Sequence, residues 1–114
     1  MKIVDKEITL TELQQMAQKI FGVLVKAVVD IKKGVMVVDA ELHSDQEELL
    51  LDNKSNQEDL WGINLYPEKF GAPEWIEFDS MINLRPWQGN KSRGVDNSKV
   101  QEIIRDVVTK LVKP

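Results

Sequence analysis

The chain has no cysteine. That excludes a disulfide framework, a thiolate zinc site and a cysteine nucleophile. It has one histidine, so any imidazole chemistry falls on His43. Glycine and proline are sparse, at 6 and 4 of 114 residues, which excludes collagen-like and low-complexity chains. No apolar run approaches the roughly 20 residues of a membrane-spanning helix, so no membrane partner is expected. The opening Met1-Lys2-Ile3-Val4-Asp5 lacks the apolar stretch of a secretory signal, and the protein is read as cytoplasmic. An excess of positive charge is also missing: 15 basic against 19 acidic residues leave a net charge of −4. Extended nucleic-acid binding is not expected from such a balance, because phosphate neutralisation needs clustered Lys and Arg. The charge is uneven, however. Residues 1–84 carry 8 basic and 16 acidic side chains, and residues 85–114 carry 7 and 3.

What remains is ordinary globular composition, 42% hydrophobic and 30% charged, at a length that suits one domain over residues 1–114. Thr9 and Glu12 form a capping box, with Ile8 and Leu13 at the staple positions. Leu10, Leu13, Met16, Ala17, Ile20 and Phe21 then recur at helical spacing, and Gly22 is a natural stop. Val- and Ile-rich segments at Leu24–Lys32 and Val35–Leu42, joined at Lys33-Gly34, predict a hairpin. Ser44 and Glu47 suggest a cap for a short helix from Asp45 to about Leu51, although Leu49–Leu51 also fits a strand. Leu60–Tyr66 and Trp75–Arg85 read as third and fourth strands, each ended by proline. The stripe Val100, Ile103, Ile104, Val107, Val108, Leu111, Val112 predicts a final helix, capped by Ser98 or by Asp96. The fold class is therefore α+β. The expected architecture is a four-stranded, mainly antiparallel sheet, with two long helices on one face and a short helix between the strand pairs.

Alternation sends Val25, Ala27, Val29, Ile31, Met36, Val38, Ala40, Leu42, Trp61, Ile63, Leu65, Ile76, Phe78, Ile82 and Leu84 to the helix-covered face. The opposite face would carry Lys26, Asp30, Asp39, Glu41, His43, Asn64, Tyr66, Glu77, Asp79, Asn83 and Arg85. Such a face can simply be wet. Two features argue for more. Asn64 and Asn83 are poor strand formers, and Gly62 in a strand interior marks a bulge or a close approach by a ligand or backbone.

Two constellations can carry chemistry. Asp39-x-Glu41-x-His43 puts two carboxylates and the imidazole on one side of one strand. These are oxygen and nitrogen ligands for a divalent metal, but same-face neighbours on a strand stand roughly 7 Å apart. The loop Trp87-Gln88-Gly89-Asn90-Lys91-Ser92-Arg93-Gly94 has glycines that admit backbone N–H groups to an anion, and Lys91 and Arg93 add charge. It matches neither the P-loop nor the dinucleotide fingerprint, and no cofactor is expected. No serine sits in a nucleophile-elbow context.

Leu60-Trp61-Gly62-Ile63-Asn64-Leu65-Tyr66-Pro67, Ile76-Glu77-Phe78-Asp79-Ser80-Met81-Ile82-Asn83-Leu84-Arg85-Pro86 and Gly89-Asn90-Lys91-Ser92-Arg93-Gly94-Val95 carry a resemblance. Through them nearly the whole chain resembles a family of short bacterial proteins catalogued as a domain of unknown function. The resemblance implies a stand-alone prokaryotic protein and brings no activity with it. The leading reading is a small binding or regulatory domain. Its ligand-binding candidates are Asn64, Tyr66, Asp79, Asn83, Arg85, Asn90, Lys91 and Arg93, for an unidentified small ligand or protein partner. The alternatives are a small metal- or phosphate-dependent enzyme on the same face, and an interaction subunit that docks through a sheet edge or the Trp75/Trp87 region.

Overall fold

A computed structural model describes residues 1–114. Its elements are strands β1 (Lys2–Val4) and β2 (Ile8–Thr9), helix α1 (Leu10–Ile20), strands β3 (Val25–Asp30) and β4 (Val35–Val38), and helix α2 (His43–Asp52). Strands β5 (Leu60–Leu65) and β6 (Ile76–Glu77), helix α3 (Ser98–Leu111) and strand β7 (Val112–Lys113) follow. Five strands form one antiparallel sheet in the order β1-β4-β3-β5-β6. β2 and β7 make a separate short parallel pair. The α+β class therefore stands, with five strands in the main sheet and three α-helices.

α1 begins where its local chemistry demands. The Thr9 hydroxyl accepts from the Glu12 amide at 3.1 Å, and Glu12 reaches back to the Thr9 amide. Gly22 follows in the left-handed region, φ +89°. Leu13 and Ala17 of α1 join Ile104, Val107, Val108 and Leu111 of α3 against Val25, Ala27, Val29, Met36, Val38, Trp61, Ile63 and Leu65. Both long helices thus cover one face of the sheet.

The other face is not left to water. α2 lies on it, with Leu50 packed among Val28, Val37 and Leu60. Its inward stripe is His43, Gln46 and Leu50, which is helical spacing with two polar members. That is why the apolar periodicity does not announce it. His43 Nε2 lies 2.7 Å from the Ile63 carbonyl of β5, and Gln46 Nε2 donates to the Lys26 carbonyl of β3 at 2.7 Å. These two bonds pin α2 across both strands. Asp30 sits buried on the same face. Its carboxylate accepts the amides of Lys32 and Lys33 and the Ser55 hydroxyl, tying the β3–β4 turn to the segment after α2.

Several expected boundaries move. β1, β2 and β7 are too short to show a period. The strand expected through Leu42 stops at Val38, because Asp39 takes a left-handed conformation, φ +67°, and pairs with Lys19. Ser44 is the second residue of α2 and does not cap it; Leu42 stands at the cap position, and no side chain caps this helix. The cap of α3 is neither Ser98 nor Asp96 but Asn97, whose Oδ1 accepts from the Lys99 and Val100 amides. The strand expected over Trp75–Arg85 contracts to Ile76–Glu77. A 3₁₀ turn occupies Met81–Asn83, started by the Ser80 hydroxyl accepting the Ile82 amide.

Side chains continue the sheet where that strand ends. The Asn83 carboxamide accepts the Gly62 amide at 2.8 Å and donates to the Gly62 carbonyl at 2.9 Å. It thereby reproduces both bonds of a backbone pair. Arg85 then takes the next free carbonyl of β5, donating to Leu60 at 2.8 Å and also to Gln57. Gly62 is required here: a Cβ at this position would lie 2.5 Å from Ser80 Cβ and 2.6 Å from Ser80 Oγ.

Candidate functional site

The α2-covered face holds a polar cavity of about 290 Å³ between the start of α2, β3, β5 and the Asp79–Ile82 segment. Lys26, His43, Ser44, Asn64, Asp79, Ser80 and Arg93 contribute polar groups to its wall. Each is placed by a different local cause. Lys26 and Asn64 are register partners on β3 and β5 and share one face. His43 is the first residue of α2. Arg93 is brought back by the loop after β6, where its Nε donates to Asp79 Oδ1 at 2.8 Å.

The tautomer of His43 follows from its partner. A carbonyl only accepts, so Nε2 carries the proton toward Ile63 and Nδ1 remains an acceptor. Burial pushes the imidazole below its ordinary value of 6.5, against the opposing effect of the Ile63 bond. The ring is therefore neutral at pH 7. Asn64 is similarly committed on one side. Its Nδ2 donates to Glu77 Oε1 at 2.8 Å, and its buried Oδ1 has no partner. His43 and Asn64 are both only 7% exposed, and of the two acceptor atoms Asn64 Oδ1 is the fully buried one.

Donors face them. The first turn of α2 has its free amides and the positive end of the helix dipole uncapped. Lys26 forms no ion pair and rests over the Phe21 ring at 5.2 Å. Arg93 keeps its terminal nitrogens free while Nε holds Asp79. The cavity wall thus combines donors and positive charge with acceptors.

Of the residues expected to form a site, His43, Asn64, Asp79 and Arg93 meet in this cavity. The others go elsewhere. Tyr66 donates to Glu77 at 3.1 Å near the surface, where burial and Glu77 hold its hydroxyl above the usual tyrosine range. Asn83 and Arg85 are 0% and 1% exposed and serve β5. Arg85 also stacks 4.3 Å from the Trp61 ring centroid. Asn90 is buried, donating to the carbonyls of Asn83, Ser92 and Gly94 while its Oδ1 accepts the Asp96 amide. Lys91 is exposed.

The expected anion loop already holds a carboxylate. Asp96 accepts the Lys91 amide at 2.7 Å and the Ser92 hydroxyl, and the Gly94 amide is taken by Ser92 Oγ. These bonds hold the Asp96 carboxyl below its ordinary value, the Ser92 hydroxyl most of all. The metal triad does not assemble either. Asp39 turns to Lys19 at 3.0 Å, Glu41 is exposed, and His43 faces Ile63. No three His, Asp or Glu residues are placed to hold a metal ion.

Lys26, Ser44 and Ser80 were not among the expected ligand-binding residues. Lys26 carries a signal, since alternation puts it on the same face as Asn64. Ser44 and Ser80 carry none, because helix registration and a 3₁₀ turn bring them in.

The fold and cavity define a small α+β domain with helices on both faces of an antiparallel sheet and a polar pocket beside the shorter helix. The chain belongs to the family described as a protein of unknown function (DUF5674), whose model matches residues 2–111. No curated protein and no solved structure matches it. No helix is long and apolar enough to cross a membrane.

Proposed function

We propose that the protein is a binding domain for a small hydroxylated anion, held in the cavity at the start of α2. One observation carries the reading. The uncapped first turn of α2 opens on the same cavity as two unpaired or half-free cations, Lys26 and Arg93, and two acceptors, His43 Nδ1 and the buried Asn64 Oδ1. An anionic group suits the helix amides and the cations. Asp79 opposes a bare anion. Its carboxylate, with His43 and Asn64, instead calls for hydroxyl or amine donors on the same ligand. A polyol phosphate satisfies both sides, and the cavity is near the lower end of ligand-site volumes.

Calorimetric titration with glycerol phosphate and with inorganic phosphate tests this. Glycerol phosphate is expected to bind more tightly, and added salt to weaken both. Lys26→Ala and Arg93→Ala should each reduce affinity by about tenfold. Unchanged affinity in both variants, each shown folded by its NMR spectrum, contradicts the proposal.

A further inference from the structure

A second, larger cavity of about 450 Å³ lies on the α3 side of the sheet, away from the polar site. Its walls are Phe70, Trp75, Ile76 and Val112, and its polar groups are Arg105 and Thr109 of α3. Positions 105, 109 and 112 recur at helical spacing, so one stripe of α3 and its continuation lines the opening. The opposite wall is preformed. Pro67 and Pro73 each open a 3₁₀ turn, and Phe70 meets Trp75 edge to face, centroids 5.1 Å apart.

Arg105 is the informative residue. It is half-buried, its guanidinium carbon lies 5.1 Å from the Phe78 ring centroid, and it makes no ion pair. A guanidinium carries five donors in a planar fork suited to a carboxylate. Here that fork stands at the edge of an aromatic and aliphatic cavity, steadied by an aromatic face and unclaimed by any acidic side chain.

We infer that this cavity is a second ligand site, for a small organic acid with an aromatic or branched apolar body. The carboxylate pairs with Arg105 and the body fills the space between Trp75, Phe70, Ile76 and Val112. Thr109 stands one helical turn from Arg105 at the opening. The inference is independent of the polar cavity, shares no residue with it, and stands or falls separately.

The test is an amide-resolved NMR titration with phenylacetate, and with 2-phenylethanol as the uncharged counterpart. Phenylacetate is expected to shift residues 70–76, 105 and 109 and to bind about tenfold more tightly than the alcohol. Arg105→Gln should erase that preference while leaving the alcohol unaffected. Thr109→Phe, which fills the opening from an exposed helix position, should weaken both. Equal binding of acid and alcohol, an unchanged preference in Arg105→Gln, or shifts confined to residues 42–44 and 79–82 would each overturn the inference.

Discussion

Asn83 and Gly62 form a single device. A carboxamide can replace a neighbouring strand only where the strand it pairs with lets another segment come close, and Gly62 allows that approach. The Ser80 side chain occupies the space that a Cβ at position 62 would need. Gly62→Ala should therefore cost about 1–3 kcal/mol in denaturant unfolding, as overpacking does. Ser80→Gly in the same chain should return much of that loss despite removing the cap on Ile82. An additive double mutant would contradict the account. Residue-level signals in the sequence marked this place. Gly62 and Asn83 broke strand rules, and of the alternatives that Gly62 signalled, the structure shows a close approach by the protein's own chain. Arg85, Asn90 and Asn83 looked like exposed polar residues because nothing in a linear pattern distinguishes a buried side chain bonded to carbonyls from one in solvent.

At the scale of elements, α1 and α3 were legible because each carries an apolar stripe. β3 and β4 were legible because they are rich in Val, and β5 because Trp61, Ile63 and Leu65 alternate up to Pro67. α2 was only half legible. Its inward face uses His43 and Gln46 to meet backbone carbonyls, so its packing is written in hydrogen bonds rather than hydrophobic spacing. Its start was misplaced because Ser44 offers a capping pattern that the helix overruns. That overrun leaves the N-terminus open, and it can be tested directly. Leu42 occupies the cap position in an extended conformation, φ −127° and ψ 132°, with its side chain largely exposed. Leu42→Ser should supply the missing acceptor and stabilise the protein by about 1 kcal/mol. The same substitution should weaken glycerol phosphate binding, since its hydroxyl competes for the amides. Gain in melting temperature with undiminished binding would separate the helix terminus from the site.

For the whole molecule, the cavity exists because α2 packs on the sheet face that alternation would have left to water. Four expected site residues reached it, and they came from four separate stretches of chain: His43, Asn64, Asp79 and Arg93. Alternation had put His43, Asn64 and Asp79 on one face, but their enclosure by α2 and the arrival of Arg93 were not legible, since these depend on where α2 docks and on the return of the loop after β6. The same docking sets a pH dependence. The folded His43 pKa lies below the ordinary 6.5 through burial. Between the folded and unfolded values only the unfolded chain takes up the proton, so stability rises with pH across that window. The contribution is complete above about pH 6.5 and is lost as pH falls through the folded value. Glu47 acts in the opposite sense, because burial raises its carboxyl above 4.5 and favours the folded state at low pH. Comparison of wild type with His43→Gln therefore isolates the imidazole. The variant should lose the acid-side slope, and an identical slope would contradict a buried neutral His43.

The most direct test of the central claim is an amide-resolved NMR titration of the wild-type protein with glycerol phosphate. The account predicts saturable shifts led by the backbone amides of His43, Ser44 and Asp45, accompanied by Asn64, Asp79 and Arg93. Saturable shifts that instead centre on the Gly89–Gly94 loop, or the absence of any shift at the start of α2 at millimolar ligand, would contradict it.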